Sequence, residues 1–348
     1  MAHYRVGVIG CGRISRFHVH GYQAVPQVSV VAGAEPEASI RAGFGEEFGL
    51  SALYADYHEM LAKEQLDIVS ICTWPPLHAE MAIAAAEAGV KAIISEKPMA
   101  VNLRQADAML AACERSGTVL LANHQRRFHP CYRTARDLVA QGAIGELVRV
   151  HGICMGDLLT DGTHNIDLLR FYAGDSPIKW VFAQVDLSEV KYRYGHLVEK
   201  GSLVNFEFAS GVRGLMELGS AAPPDYQKAY LYGTHGRIEV GGDRNLQLTV
   251  IRSGQDAPEI IVPVIENPFQ LEVQALIQTI EQGTEHPLSG QQARANLEVL
   301  MAAFESARRH TVIPLPLTIT EHPLEAMSAS LTVTPEVEVG RRQQRLGA

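Results

Sequence analysis

The sequence predicts an α/β protein in which a doubly wound parallel sheet is followed by an α+β domain with a large, mostly antiparallel open sheet. In the first third of the chain, short apolar runs alternate with helical segments, which is the pattern of βαβ units. After residue 123, strand-like runs follow one another with few helices between them. The length of 348 residues is enough for two domains that each bury a core.

Composition excludes several classes of protein. A hydrophobic fraction of 47% and a charged fraction of 20% are typical of a globular protein, and the net charge of −9 argues against binding to nucleic acid. The five cysteines show neither CxxC pairing nor zinc-type spacing, so we predict reduced thiols and no metal site. No signal peptide is recognised, and no apolar run approaches the roughly 20 residues that cross a bilayer. We therefore expect a cytoplasmic protein without membrane or nucleic-acid partners.

The first predicted strand, residues 4–9, ends in a glycine-rich turn that opens a helix. The first glycine permits a tight turn, and the second leaves room for a pyrophosphate at the N–H groups of the helix N-terminus. Ser15 replaces the third glycine of the usual pattern and is small enough to keep the helix close to the strand. This context predicts a dinucleotide-binding Rossmann domain over residues 1–123. The residues expected at the pyrophosphate are Gly10, Gly12, Arg13 and Ile14.

The second predicted strand leads to Glu35, about 20 residues past the glycines. An acid at this distance can accept hydrogen bonds from both hydroxyls of an adenosine ribose and repel a 2′-phosphate. The alternative is a solvated acid that opens the next helix after Pro36. We favour the ribose role, and therefore NAD over NADP.

Two further apolar runs deliver polar residues to the carboxyl ends of strands, where open α/β sheets bind ligands. One is followed by a proline-rich loop that could cover the cofactor, and the other, 92–95, by Glu96, Lys97 and Pro98. A surface Glu–Lys pair closing a strand is the alternative interpretation of the second. The loop residues expected at the cofactor are Thr73, Trp74, Pro75 and His78, although Trp74 and His78 could equally be a packed aromatic and a helix start.

The second domain is expected over residues 124–317, and a C-terminal extension, by default disordered, over 318–348. Because a broad sheet with helices on one face leaves the other face exposed, we expect a homodimer or homotetramer through this sheet. Helices are predicted near 130–141, 162–171, 268–282 and 289–309. Strands are predicted near 147–154, 179–186, 200–209, 212–218, 227–233, 237–240, 246–251 and 259–264.

Six short motifs occur in one order along the chain. They are Gly10-Cys-Gly12-Arg-Ile, Thr73-x-Pro75-Pro76-x-His78, Glu96-Lys97-Pro98, Arg127-Phe128, Gly142-x-Ile-Gly145-Glu146 and Gly162-Thr-His164-x-x-Asp167. In this combination the chain, from residue 4 to about 315, resembles the glucose–fructose oxidoreductase / inositol dehydrogenase / rhizopine catabolism (Gfo/Idh/MocA) family.

The resemblance implies a role for each matched position. The glycine loop would hold the pyrophosphate, and Glu35 the adenosine ribose. Glu96 would contact the nicotinamide side, and Lys97 would lie beside the reacting carbon. The resemblance also implies that His164 is the acid/base and that Asp167 helps to fix the substrate.

This chain departs from the family at one position. Many sugar-oxidising members carry an aspartate four residues before the histidine, where this chain has Thr160, with Asp161 one place later. Histidine exchanges protons near neutral pH, so His164 is expected as the base and Asp161 as the next candidate, while a satisfied interface histidine is the alternative. A lysine ammonium can stabilise a developing alkoxide. The side chains expected to bind a polyol are His124, Gln125, Arg127, Asp157, Thr160, Thr163 and Asp167.

The resulting expectation is an NAD(P)-dependent dehydrogenase that transfers hydride between nicotinamide and a secondary hydroxyl of a sugar or an inositol-like cyclitol. Two alternatives stay open. A ketoreductase of nucleotide-linked sugars could bind the diphosphate through Arg126, Arg127 and Arg170. A non-catalytic NAD-binding sensor is the other, but a sensor has no need of the four catalytic-type residues that the motifs retain.

Overall fold

A computed structural model describes residues 3–222, 227–241, 246–328 and 333–334. The first domain contains a six-stranded sheet with helices on both faces. Its strands are β1 Tyr4–Ile9, β2 Val28–Ala34, β3 Ala52–Tyr54, β4 Ile68–Ile71, β5 Ala92–Ser95 and β6 Val119–Ala122. Its helices are α1 Arg13–Gln23, α2 Ala38–Phe48, α3 Tyr57–Lys63, α4 His78–Glu87 and α5 Leu103–Ser116.

All neighbouring strands of this sheet run parallel, in the order β3-β2-β1-β4-β5-β6. The strand order reverses between β1 and β4, whose last residues Ile9 and Ile71 are in register. Such a switch point opens a crevice at the carboxyl ends of the strands, where dinucleotides bind. The predicted Rossmann domain is therefore confirmed.

The rest of the chain builds two further sheets. Its helices are α6 Pro130–Ala140, α7 Gly162–Tyr172, α8 Pro268–Gln282, α9 Gly290–Arg309 and α10 Pro323–Ser328. Its strands are β7 Leu147–Cys154, β8 Ile178–Asp186, β9 Val190–Arg193, β10 His196–Val198, β11 Gly201–Phe208, β12 Arg213–Gly219, β13 Gln227–Gly233, β14 Gly236–Gly241, β15 Leu248–Arg252, β16 Glu259–Ile261, β17 Ile313–Pro314 and β18 Val333–Thr334.

The larger sheet has nine described strands in the order β16-β15-β14-β13-β7-β12-β11-β8-β17. Only β7 and β12 pair in parallel, so the expectation of a mostly antiparallel sheet is confirmed. In β11 the burial alternates: Val204 and Phe206 belong to the core that includes residues of α7 and α9, whereas Leu203 and Asn205 are half-exposed on the opposite face.

The C-terminal segment differs from the prediction. Residues 318–328 are ordered, because His322 and Leu324 are buried and the His322 ring lies 5.0 Å from the Phe304 ring of α9. Further along, β18 pairs in parallel with β9. A disordered extension is therefore wrong for residues 318–328, and the remainder of the predicted tail beyond β18 lies outside the described residues.

Helix α8 follows the second sheet in the chain but packs on the first. Val273 and Leu276 share a core with Tyr22 of α1 and with residues of β1, β4 and β5. The approach of the two helices is close, since a Cβ at Gly21 would lie 2.7 Å from Cβ of Phe269. This helix therefore completes the covering of the first sheet.

Across the described ranges, no helix is both long and apolar enough to span a membrane.

Candidate active site

The glycine loop follows β1 and enters α1. Gly10 has φ of +85°, and a Cβ there would lie 2.8 Å from the carbonyl oxygen of Cys72, so only glycine lets the loops after β1 and β4 meet. A Cβ at Gly12 would meet no atom within 4 Å. Ser15 Oγ donates to the Gly12 carbonyl at 2.6 Å and is buried. The open space before the α1 N-terminus fits a pyrophosphate.

Glu35 lies at the end of β2, beside the glycine loop. One of its carboxylate oxygens accepts from the Cys11 N–H at 3.1 Å, and the other accepts from the Glu37 N–H at 3.1 Å. Two oxygens fixed in this way at the edge of the crevice fit the hydroxyls of an adenosine ribose.

The loop after β4 places its residues in two different surroundings. Trp74 is 48% exposed at the cleft, and Pro75 is buried. His78 is fully buried, with one ring nitrogen 2.9 Å from the Pro98 carbonyl oxygen and the other 3.0 Å from that of Thr73. Burial lowers the pKa of His78, so its neutral ring donates to one of the two carbonyls. The His78 ring therefore bridges the loop after β4, at Thr73, and the loop after β5, at Pro98.

Glu96 ends β5 inside a buried polar network. Its Oε1 lies 3.0 Å from Nε2 of His18 and accepts from the Asn123 side chain at 2.6 Å. Burial acts to raise the pKa of Glu96, but His18, Lys97 and Asn123 together bring that pKa below its usual value. The other ring nitrogen of His18 lies 3.2 Å from Ser70 Oγ. An ionised carboxylate is therefore held here, and sequence reasoning missed His18 and Asn123.

Lys97 connects the two domains. It is half-buried, it precedes a cis peptide bond to Pro98, and its Nζ donates to the backbone carbonyl of Thr160 at 3.0 Å. Thr160 is buried and lies one helical turn before His164. The position where the family resemblance led us to expect an aspartate therefore meets this lysine through its main chain.

His164, on α7, is 4% exposed, and its Nδ1 has no hydrogen-bond partner among the described residues. Burial, followed by the charges of Arg126 and Lys97 and the neighbouring His124, lowers the pKa of His164 well below its usual value. The His124 ring stands edge-on to the His164 ring, with centroids 5.7 Å apart. A neutral imidazole with a free nitrogen can accept a proton.

Three further polar side chains expected at the substrate have buried polar atoms in this part of the structure: His124, Gln125 and Thr163. His124 Nε2 lies 2.9 Å from the hydroxyl of Thr163, and both residues are buried. Oε1 of Gln125 is buried and has no partner in the described part of the chain. These groups can hydrogen-bond a hydroxylated ligand.

Arg127 and Asp167 form an internal ion network. The Arg127 Nε donates to both carboxylate oxygens of Asp167 at 3.0 and 2.9 Å, and its two terminal nitrogens donate to Asp175 at 2.8 Å each. Asn296 also donates to Asp167 at 2.8 Å. Burial opposes ionisation of Asp167, but Arg127 brings the pKa of this carboxyl below its usual value. Both predicted substrate ligands are thus engaged within the protein.

The other two arginines expected at a diphosphate differ from each other. Arg170 is buried and donates to the Gln292 carbonyl at 2.9 Å and to Asn296 at 2.6 Å. In contrast, one terminal nitrogen of Arg126 is buried and has no hydrogen-bond partner within the described ranges. Arg126 is therefore the arginine of this set that can still take an anionic group.

Sequence reasoning also missed a hairpin, residues 190–198, which we call the strap. Its Arg193 donates to Asp157 at 2.6 Å and to Asp161 at 2.7 Å. Its tip residue Tyr194 places its ring 6.3 Å from that of Trp74. The only signal for this hairpin in the sequence is the pair Tyr194-Gly195, which is typical of a turn and lies between two short strand-like runs. Asp161, the second candidate base, is thus held in an ion pair.

The crevice, the glycine loop and the acid after β2 are those of a dinucleotide-binding Rossmann domain. The model described as "Oxidoreductase family, NAD-binding Rossmann fold" matches residues 4–124, and the "GFO/IDH/MocA C-terminal domain" matches residues 155–239. The chain belongs to the GFO/IDH/MocA family, as its motifs indicated, and is an NAD-dependent oxidoreductase.

Two sequence relatives and one solved structure are consistent with this assignment. D-apiose dehydrogenase of Paraburkholderia graminis is 34% identical over 192 residues, which are 49% of this chain and 50% of that one. Myo-inositol 2-dehydrogenase of Thermotoga maritima is 24% identical over 335 residues, covering 89% of this chain and 98% of that one. A levoglucosan dehydrogenase solved with NADH and L-sorbose superimposes with a TM-score of 0.79 at 23% identity, covering 91% and 100% of the two chains, and shares the fold.

Proposed function

We propose that this enzyme transfers hydride between NAD and a secondary hydroxyl of a sugar or cyclitol, with Lys97 and His164 assisting proton transfer. One observation carries the proposal. The Lys97 ammonium reaches across the domain boundary to the Thr160 carbonyl, one turn before a buried, neutral His164. The names of the apiose, inositol and levoglucosan dehydrogenases among its relatives support a polyhydroxylated substrate.

The residues present fit the cofactor. Bound NAD supplies a hydride acceptor at C4 of its nicotinamide. Glu35 would bind the adenosine ribose, Glu96 would face the nicotinamide side, and His78 would position the loop that covers them. The pyrophosphate would contact Gly10, Gly12, Arg13 and Ile14, and the covering loop contributes Thr73, Trp74 and Pro75.

The two proposed catalytic side chains have complementary tasks. His164 accepts the hydroxyl proton on its imidazole ring, which burial keeps unprotonated. The Lys97 ammonium donates a hydrogen bond to the same oxygen and stabilises the alkoxide as it develops. Asp161 stays the second candidate base, but its carboxylate is already paired with Arg193.

The other polar side chains of the site are the proposed substrate contacts. Gln125, Thr160 and Thr163 can bind hydroxyl groups beside His164. Arg127 and Asp167 would support the substrate site without contacting the substrate, because their mutual hydrogen bonds hold the first turns of α7 in place.

The contacts of three arginines and of His164 bear on the two alternative functions, a ketoreductase of nucleotide-linked sugars and a non-catalytic sensor. Nucleotide-linked sugars would need several free cations, yet Arg127 and Arg170 are held internally. The free nitrogen of Arg126 favours at most one anionic substituent, such as a sugar carboxylate. A sensor would not require an unpaired neutral histidine beside a lysine ammonium.

The test is a screen for NADH formation with free sugars, inositols, sugar acids and nucleotide sugars. We expect turnover of a polyol, strong discrimination against its deoxy analogue, and loss of about 10²–10⁴ in kcat for Lys97→Met with NAD affinity changed only a few-fold. Lys91→Met, at the exposed start of the same strand, is the matched control and should behave as wild type. Turnover restricted to nucleotide sugars would establish the ketoreductase, and tight NADH binding with no turnover would establish the sensor.

A further inference from the structure

The strap belongs to the second domain but touches the cofactor loop of the first. Tyr194 and Gly195 have φ values of +51° and +79°, as in the two-residue turns that close tight hairpins. A Cβ at Gly195 would lie 3.2 Å from Pro76 Cγ and 3.5 Å from a ring carbon of Trp74. The absence of a side chain at Gly195 therefore lets the tip of the strap rest on the loop that follows β4.

Behind the tip, one nitrogen of Arg193 holds both ends of the turn at residues 157–161. Its Nη1 lies 2.6 Å from Asp157 Oδ2 and 2.7 Å from Asp161 Oδ2. Asp157 is buried, and Arg193 is one-third exposed. Burial opposes the charge on Arg193, but the two carboxylates raise its pKa. Without this cation, two neighbouring carboxylates would repel each other within the same short turn.

The contacts continue from this turn to the proposed catalytic lysine. The second oxygen of Asp157 accepts from the Thr160 N–H at 2.7 Å, and the Thr160 carbonyl accepts from Lys97 Nζ at 3.0 Å. The strap adds a second contact, since His196 Nε2 lies 3.2 Å from the Thr160 hydroxyl. Two sets of charge-assisted hydrogen bonds, which meet at the backbone of Thr160, thus join Arg193 to the Lys97 ammonium.

We propose that Arg193 is a positioning residue: by holding Asp157 and Asp161 together it fixes the Thr160 carbonyl, and through it the ammonium of Lys97. The effect on turnover rests on the proposed function, because it assumes that Lys97 acts on the substrate oxygen. The effect on the position of the Lys97 ammonium does not rest on the proposed function. Because a displaced ammonium costs transition-state stabilisation more than ground-state binding, the loss should fall on kcat.

The kinetic test compares Arg193→Gln with Arg193→Lys. We expect kcat to fall at least tenfold in Arg193→Gln, with KM and NAD affinity within a few-fold, and Arg193→Lys to recover much of the loss because it keeps the charge. Arg294→Gln is the control, since Arg294 also bridges two carboxylates, Asp107 and Glu298, outside the site. An unchanged kcat in Arg193→Gln, or an equal fall in the control, would overturn the proposal.

A second measurement needs no substrate. Lysines are reductively methylated with ¹³C-formaldehyde, and the Lys97 signal is assigned by its loss in Lys97→Arg. We expect Arg193→Gln to shift and narrow this signal, because Lys97 Nζ loses its fixed carbonyl partner, while Arg193→Lys and Arg294→Gln leave it as in wild type. A Lys97 signal identical in all variants would refute the positioning role. If the signal responds but no variant, wild type included, turns over any substrate, the proposed function fails and the positioning of Lys97 stands.

Discussion

Three influences act in one direction on His164. Burial, two positive neighbours and a second histidine all oppose its protonation, and the described residues leave Nδ1 free. A histidine in this state is useful as a base during alcohol oxidation, because it is unprotonated at neutral pH without a carboxylate partner. Burial is thus compatible with a purely structural histidine and with a proton acceptor. The two roles are distinguished only by Nδ1, which has no hydrogen-bond partner among the described residues.

We predict that His164→Asn lowers kcat/KM for alcohol oxidation by about 10²–10⁴. In wild type the rate should rise as His164 loses its proton, and since its pKa is lowered, this rise should lie below about pH 6.5. The measurement is a pH–rate profile of both proteins. If the acidic limb persists in His164→Asn, the titrating base lies elsewhere, with Asp161 next to be tested.

At the scale of elements, a buried histidine ring is one of the contacts that attach the C-terminal segment. His322 precedes α10, accepts the Leu324 N–H at 3.2 Å, and packs on Phe304 of α9. Burial, with a smaller contribution from His196, lowers the pKa of His322 to about 3. The folded protein therefore resists a proton that the unfolded chain accepts below about pH 6.5, and stability is lost as pH falls from there towards 3.

We predict that His322→Asn removes this part of the acid sensitivity. Asn can still accept the Leu324 N–H, but it does not titrate. Between pH 7 and pH 5 wild type should lose about 2 kcal/mol more than the variant, as measured by urea unfolding at each pH. His310→Asn, an exposed position with φ of +52° that asparagine tolerates, is the control and should follow wild type. Parallel pH curves for wild type and His322→Asn would contradict the assignment.

Which elements could be predicted depended on how local their signals are. Helix α8 and the strand β7 were predicted at their observed bounds, because helix caps and runs of strand-forming residues are visible in neighbouring positions. The strap was missed, since β9 and β10 have four and three residues, too few to show alternation. Arg193 was missed for the same reason: its partners lie 32 and 36 residues away, and no spacing rule joins them. Conversely, Arg127 was predicted to be available to substrate, because the sequence does not show that Asp175 also reaches it.

At the scale of the whole molecule, the outer face of the nine-stranded sheet carries half-exposed apolar and aromatic side chains. Phe182, Asn205, Leu215, His151 and Tyr230 follow one another across adjacent strands in register. Within the row, His151 lies 3.1 Å from Glu217. Such a face is typical of contact with a second copy.

We predict a homodimer or homotetramer through this face. Light scattering should give two or four times the chain mass of 38.0 kDa, and Leu215→Asp should reduce it towards the monomer by placing a charge in the middle of the row. Ile265→Asp, at an apolar residue that is 84% exposed outside the sheet, is the control and should not change the mass. A wild-type monomer at micromolar concentration would rule out this prediction.

Because α8 covers the first sheet, the order of synthesis matters for this chain. All six strands of that sheet have been made once residue 122 is complete, but Val273 and Leu276, which cover Tyr22 and its neighbours, come some 150 residues later. At about 5–20 residues per second, the ribosome needs roughly 10–30 seconds to supply them. During that interval an apolar face of the nascent domain stays open to chaperones and to other nascent chains. A fragment that ends near residue 123 would carry the same bare apolar face permanently, so we expect it to aggregate unless α8 is supplied.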